Sequence, residues 1–301
     1  MHRPVTSCTM PSPTPPTLEQ VCEKALRLPC APALLPRLVI ALQNEESSSS
    51  EIERLISLDT TLAAATLRLS NSVVFSTRKV DSLQEAVLRL GVNDIYRLAA
   101  LVLVNRWETG TNTALRWSPG DFSRHSLCTA IAAEMLAQST ERIDPQVAYT
   151  AGLISGIGKL ALAHICGDFY PEVRAHCEKN ACPWEDAERA VFGYHHNDVN
   201  VQLLQAWKFP PLFVRTAQFM LKPEQAPADV LPLLSHLLAA KYLATAMGPG
   251  VTEEGFLVKL PGDFLTENGF TPELIEETIP MVLEKASLQL GERLSHGAIS
   301  I

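Results

Sequence analysis

The side chains that could do chemistry are concentrated in the second half of the chain: His125, Ser155, Lys159, Glu188 and the run Tyr194-His195-His196 with Asp198 close behind. His125 and His196 could converge and bind an anion or a partner group. A histidine on a core-facing helix more often makes only an ordinary hydrogen bond. Glu188 and Asp198 are suited to pair with these imidazoles, and a structural ion pair is the expected outcome, because carboxylates sit beside imidazoles in many proteins without catalysis. Lys159 reads as helical surface. The His195-His196 pair looks metal-like by composition, but adjacent helix residues point about 100° apart, so the two would not share a metal if both were helical, and His195 is expected to face solvent.

Other chemistries fit less well. Ser155 within Ile-Ser-Gly-Ile-Gly has the look of a nucleophile turn but no preceding strand to strain it. Gly152, Gly156 and Gly158 are not a phosphate loop, since no strand comes before them and Lys159 is not followed by Ser or Thr. Cys177 and Cys182 would reach a zinc site only with a second pair from elsewhere. The seven cysteines, Cys8, Cys22, Cys30, Cys128, Cys166, Cys177 and Cys182, are odd in number and include no C-x-x-C pair, as expected of reduced structural thiols in a reducing cytoplasm.

The stretch from Ala148 to His164 must position several of these groups. Its apolar residues, among them Ala151, Ile154, Ile157, Ala161 and Ile165, recur at helical spacing and nearly surround the axis, which predicts a helix inside the fold. Each of its three glycines costs about 1 kcal/mol against alanine in a helix. Their clustering therefore signals a close backbone approach, by packing or by a ligand, or a kink.

Composition sets the outer limits. With 301 residues, 47% hydrophobic and 19% charged, the chain can bury a large core. A net charge of −8 offers no general attraction to phosphate backbones or anionic lipid, so nucleic acid is a poor default partner. The longest apolar run, Leu98 to Val104, is far short of the roughly 20 residues that span a bilayer, and no membrane helix is expected. Residues 1–16 carry four prolines after Met10 and no continuous apolar core, reading as a disordered tail rather than a signal peptide.

Helix start signals recur along the rest, with almost no strand alternation. Thr17 with Gln20, Ser50 with Glu53 and Ser82 with Glu85 fit the capping box. Asp59 reads as a cap, Leu28-Pro29 as a stop, Pro32 as a start and Gly91 as a left-handed terminator followed by a helix capped at Asn93. Ser118 with Pro119 and Asp121, then Asp144-Pro145, and finally Thr271-Pro272-Glu273 launch further helices. Shorter helices are expected over Phe169 to Lys179, Trp184 to Phe192, Val199 to Trp207 and Pro211 to Met220, then a long one from Leu231 to Met247. Only Gly255 to Leu260 offers a short β-like run. The predicted organisation is an all-α, two-lobed helical bundle: a tail over 1–16, a lobe over 17–107, a connecting loop over 108–116, a second lobe over 117–250, and an extension over 251–301 packing on the body.

The order of these features resembles the HD-related output domain (HDOD) family of bacteria, all-helical relatives of the metal-dependent HD phosphohydrolases. In the first lobe the resemblance rests on Leu28-Pro29 with Pro32, Ile56 to Asp59 with Leu62, Leu67 to Ser72, and Ser82 to Gly91. In the second it rests on Trp117, His125-Ser126, Gly152 to Lys159, Glu188, Gly193, His196, Trp207 and Pro210. It spans roughly Leu18 to Met247.

In catalytic HD proteins a histidine, an adjacent His-Asp pair and a later aspartate hold metal. The resemblance puts His125 at the first position and Ser155-Gly156 where the pair would stand. His196 matches a histidine common in the family, Met220-Leu221 replaces a frequent His-His pair, and the closing aspartate becomes Ala240 or Lys241. Two isolated imidazoles do not make a zinc or iron ligand set, so no metal and no cofactor are expected. The resemblance implies a non-catalytic regulatory module, an output or adaptor domain in bacterial signal transduction, with a vestigial site of His125, Ser155, Gly156, Lys159, Glu188 and His196. That site is either a ligand cavity or filled by side chains. The expected partner is a regulatory protein or a second-messenger nucleotide. No receiver, kinase or cyclic-dinucleotide synthase segment is recognisable, so the input is expected in trans. The alternative is a metal-dependent phosphohydrolase using His125, His196 and Glu188.

Overall fold

The computed structural model describes residues 14–28, 34–43, 48–71, 78–108, 118, 120–248 and 262–290. Among these there is no strand, only helices and turns. The run from Gly255 to Leu260, residues 109–116 of the connecting loop, Trp117, Pro32, Pro119 and residues 1–13 lie outside them.

In the first half, α1 (Leu18–Ala25), α2 (Leu34–Gln43), α3 (Ser49–Ser57), α4 (Thr60–Ser70) and α5 (Leu83–Glu108) follow in order. Thr17 completes its capping box with Gln20 in both directions. The box expected at Ser50 falls instead two residues earlier, where Ser48 caps α3 through the amide of Glu51. Four serines in succession leave the cap ambiguous from sequence, and the register of the buried face, Ile52, Leu55 and Ile56, selects Ser48. Asp59 caps α4 through the amides of Thr61 and Leu62, and its carboxylate also takes both guanidinium nitrogens of Arg106 at 2.8 and 2.9 Å. Gly91 adopts φ 75° with ψ 169°, a conformation open to glycine, and kinks α5.

The second half contains α6 (Asp121–Thr140), α7 (Pro145–Ile154), α8 (Ile157–Cys166), α9 (Tyr170–Asn180), α10 (Trp184–Phe192), α11 (His196–Ala206), α12 (Pro211–Phe219) and α13 (Leu231–Ala246), then α14 (Gly262–Glu267) and α15 (Pro272–Leu290). The helix expected as one from Ala148 to His164 is two, α7 and α8, broken at Ser155-Gly156. Helix α6 starts later than Ser118 predicts: Gly120, at φ 89°, is its cap residue. Its free amides at Phe122 and Ser123 are taken by the Glu108 carboxylate at the end of α5, at 3.0 and 3.2 Å. The end of the first lobe thereby caps the first long helix of the second.

Helices α6 and α7 form the centre, with α13 packed on both. The core there is dense: Leu127, Cys128, Ala130, Ile131, Leu136, Leu153, Leu160 and Leu234 are all fully buried. The stretch Pro145–Asn180 is apolar enough by composition to cross a membrane, but 72% of its apolar window is buried inside the fold, and its apolarity is that of core helices. Helices α2, α3 and α4 pack on α5, and α5 in turn touches α6, α7 and α8. The lobes also meet where Trp107 sets its ring edge-on to Trp207, centroids 5.9 Å apart. Helix α1 departs from the expected grouping: it packs on α8 and α11 of the second lobe, and the Tyr194 hydroxyl donates to the Pro16 carbonyl at 2.7 Å. Helix α15 of the C-terminal extension lies along α6.

Candidate functional site

Glu188 is the polar centre of the second lobe. It is fully buried on α10, and both carboxylate oxygens are occupied. Oε1 accepts from the Tyr170 hydroxyl at 3.3 Å and the Trp184 indole N–H at 3.1 Å; Oε2 accepts from the His196 amide at 2.8 Å and its Nδ1–H at 2.7 Å. Burial pushes the carboxyl pKa up, but the His196 charge, its two hydrogen bonds and the Lys159 charge outweigh it, and the net shift is down. Glu188 is thus a carboxylate held ionised in the interior by a full set of donors. The ion pair expected between Glu188 and an imidazole is with His196.

Lys159 is not on the surface. It is 7% exposed, and its ammonium stands 5.6 Å from the centroid of the Trp184 ring, beside the Glu188 carboxylate that it helps to hold ionised. A lysine on an apolar helix reads as surface when its charge alone is weighed; here the stem threads the core and the head meets an aromatic face. His195 is the second correction. It is the cap of α11 rather than a helical residue, and it is buried. Its Nδ1 accepts the Asp198 amide at 3.1 Å while the Asp198 carboxylate takes the His195 amide at 3.0 Å, a reciprocal capping box. An Nδ1 that accepts a hydrogen bond belongs to a neutral ring. Desolvation lowers the His195 pKa, the Asp198 charge opposing.

The three glycines are packing residues. A Cβ on Gly152 would fall 2.7 Å from the Ala130 Cα on α6, and one on Gly158 would fall 2.3 Å from the His196 carbonyl and 2.4 Å from the Asn200 amide on α11. At Gly156 the space is filled by the Phe122 ring, whose Cζ would lie 2.5 Å from the added carbon. Ser155 caps the end of α7 and turns its hydroxyl back to the Gly152 carbonyl at 2.9 Å, while its own carbonyl accepts from Asn200 Nδ2 at 3.3 Å. His125 lies half-buried on α6.

Beside Ser155 a cavity of about 20 Å³ is lined by Ser155, Asn200, Thr216, Met220 and Leu237 among others. That is room for roughly one water molecule. Asn200 Oδ1 is buried without a partner and is the one polar atom there left unsatisfied by the protein. Met220, at one of the positions where the resemblance would put a histidine, is part of this wall. Ala240 is buried, and Lys241 beside it is half-buried with its ammonium pKa lowered by desolvation, the Glu185 charge opposing.

Among the described residues, no three His, Cys, Asp or Glu side chains converge as a metal ion requires. The metal of the HD fold does not fit the residues present: Gly156 brings no ligating side chain and the Phe122 ring fills the space beside it, and Glu188 has spent its acceptors on protein donors. Sequence reasoning found Glu188 and His196 but not Tyr170 and Trp184, which complete the cage. It also missed Glu108 and Glu134. The signal for Glu134 was present, a single charge in the apolar run Ala130 to Leu136.

Fold and site together define an HD-like helical domain whose buried polar centre is the internally satisfied pair Glu188–His196. The HDOD domain model matches residues 28–223, and the chain belongs to this family. Three solved structures share the fold. An HDOD domain protein of unknown function from Geobacter sulfurreducens is 21% identical with a TM-score of 0.68, over 92% of this chain and 97% of that one. A candidate signal transduction protein from Marinobacter aquaeolei VT8 is 18% identical with a TM-score of 0.70, over 93% and 61%. A candidate phosphohydrolase from Shewanella amazonensis SB2B is 22% identical with a TM-score of 0.61, over 93% and 96%. A Treponema pallidum (strain Nichols) protein is 25% identical over 217 residues; the match takes in 69% of this chain and about 40% of that protein's length.

Proposed function

We propose that this chain is a non-catalytic regulatory module of bacterial signal transduction, working in the cytoplasm by binding a partner rather than by turning over a substrate. The observation that carries this reading is Gly156. Where the resemblance to catalytic HD proteins would put the aspartate of the metal pair, the space beside Gly156 is filled by the Phe122 ring, which any side chain there would have to displace. The Glu188–His196 pair supports the same reading. A carboxylate with four protein donors is a structural anchor that joins α9, α10 and α11, and has no lone pair left over for a metal or a substrate proton.

A regulatory protein or a second-messenger nucleotide would be the partner. Room for roughly one water beside Ser155 leaves no place for a nucleotide there, which favours a protein recognised on the outer surface. The candidate phosphohydrolase among the structural relatives keeps one alternative in view, a hydrolase that recruits metal through His125, His196 and Glu188.

Two measurements on the natural sequence separate these readings. The first is elemental analysis of protein purified without chelators, with a screen for phosphomonoesterase and phosphodiesterase turnover in added manganese or iron. The regulatory reading expects neither stoichiometric metal nor turnover. Near-stoichiometric metal together with turnover abolished by both His125→Ala and His196→Ala would replace it with the hydrolase. The second is identification of what copurifies with the chain after mild cross-linking.

A further inference from the structure

Cys177 and Cys182 are neighbours in space as well as in sequence. Cys177 lies in the last turn of α9, buried; Ala181 then turns the chain through φ 46°, a left-handed conformation, and brings it back so that Pro183, the residue after Cys182, presents its carbonyl to the Cys177 thiol. Cys182 is half-buried, within reach of solvent, whereas Cys177 is covered. The distance from the Cys177 thiol to the Pro183 carbonyl is 3.9 Å. That carbonyl is the one accepting the amides of Asp186 and Ala187, the first hydrogen bonds of α10, at 3.1 and 3.2 Å. Pro183 is the cap of α10, and the next residue, Trp184, donates its indole N–H to Glu188.

We propose that Cys177 and Cys182 form a reversible disulfide by exchange with a low-molecular-weight disulfide such as oxidised glutathione, and that its closure loosens the start of α10 and the grip of Trp184 on Glu188. The Cys182 thiolate attacks one sulfur of the glutathione disulfide and expels a glutathione thiolate. Cys177 then gives up its proton to solvent and its sulfur displaces the second glutathione from Cys182. The balance is two protein thiols and one glutathione disulfide converted to one protein disulfide and two glutathione thiols. The order of attack follows from access. Cys182 meets the reagent, and Cys177, whose thiol is pushed up to about 12 by burial and by the neighbouring Cys182, acts only once the mixed disulfide is beside it.

Two consequences link the bond to the site. Cys177 no longer carries a proton for the Pro183 carbonyl. The pull on Cys182 is also passed directly to Pro183, whose ring fixes φ and leaves little slack before Trp184. A loop this short gains little from cross-linking, so the disulfide is easily reduced again, as a switch requires. The inference is independent of which partner the module binds.

The full-length chain and its Cys182→Ser variant would be equilibrated in glutathione buffers of increasing oxidation, quenched with acid, and digested without reduction. The expected result for the natural chain is the loss of two free thiols and a cross-link between the peptides on either side of Lys179. Amide exchange at Asp186 and Ala187 becomes faster on oxidation, and reduced glutathione reverses it. Cys182→Ser, a near-isosteric change at a half-buried position, gives no cross-link and no change in exchange. Thiols that stay free, glutathione retained on Cys182 without a cross-link, or a cross-link that leaves exchange in α10 unchanged would each overturn the proposal.

Discussion

Lys285 on the C-terminal helix α15 donates to Glu134 on α6 at 2.8 Å, across 151 positions of sequence. Glu134 is 2% exposed, and the same carboxylate takes Arg97 from α5 and the side-chain amide of Gln146 from α7. Arg97 in turn lies 4.4 Å over the Tyr149 ring. One buried acid thus joins the first lobe, the second lobe and the C-terminal extension.

The three partners of that acid are not equal. Glu134→Ala takes from the half-buried Arg97 its carboxylate partner and leaves it the Gln146 side chain, and about 3 kcal/mol of stability is expected to go with it. Lys285→Ala removes a side chain that is 34% exposed, where solvent screens the pair, and costs about 1 kcal/mol or less. Urea denaturation of both variants checks the ranking; equal losses would mean that α15, not Arg97, is what Glu134 holds.

The glycines make a steric prediction. Gly158→Ala forces α8 and α11 apart at backbone atoms that cannot rotate away, and a loss of about 1 to 3 kcal/mol is expected. Gly91→Ala meets nothing within 4 Å, and its cost is the backbone alone, φ 75° with ψ 169°, a region essentially confined to glycine, about 1 to 3 kcal/mol. Asparagine is no better suited than alanine to this region, so Gly91→Asn should lose about as much as Gly91→Ala, while Gly158→Asn should be worse than Gly158→Ala. Thermal melts of the four variants read the difference.

Acidification is expected to destabilise the protein before its carboxylates titrate. His195 and His236 both have pKa values lowered from 6.5, in each case chiefly by burial. His236 is fully buried, hydrogen-bonded to the Thr140 hydroxyl at one nitrogen and the Pro232 carbonyl at the other, edge-on to Phe270. A histidine whose pKa is lower folded than unfolded is neutral in the fold and protonates first in the unfolded chain. Its contribution is therefore complete above about pH 6.5 and is lost as pH falls through the folded value. Glu188, with its pKa also lowered, adds a further loss at lower pH. Urea midpoints measured from pH 8 to pH 5 should fall, and His236→Gln should flatten the fall.

Truncation from the N-terminus tests where the ordered body begins. A chain starting at Thr14 is expected to melt with the full chain, on the proline-rich composition of what precedes it. A chain starting at Leu18 loses the Tyr194 bond to Pro16 and the Thr17 capping box, and about 1 to 2 kcal/mol with them. Scanning calorimetry of the two would show the step between Thr14 and Leu18.

Much of the helical order was legible because its signals are local. Thr17, Asp59 and Asp144 cap helices where the sequence places them, since a short polar side chain before an apolar period has few other uses. The glycine cluster signalled either a close approach or a kink, and both occur: the helix breaks at Ser155-Gly156, and the Phe122 ring from α6 lies against Gly156, a contact that no local pattern encodes. Lys159 and His195 were misplaced for a related reason. A charged or imidazole side chain is exposed by default, and only the tertiary neighbours Trp184, Glu188 and Asp198 supply what it needs to be buried. The positions of the candidate site came from a resemblance, but its fate, a cage closed on Glu188 and a cavity hardly larger than a water, depends on packing among five helices.

The placement of α1 has a consequence for how the chain matures on the ribosome. Pro16 is bonded to Tyr194, 178 positions later, and α1 rests on α8 and α11. Helix α1 emerges first and cannot dock until the chain beyond α11 has been made, a wait of roughly 10 to 40 s at about 5 to 20 residues per second. During that interval its apolar side, Val21, Cys22 and Ala25, is uncovered while α2 to α5 can already assemble behind it. A segment made well before its partners thus waits for them, and a nascent chain stalled before α11 would present that bare helix to chaperones.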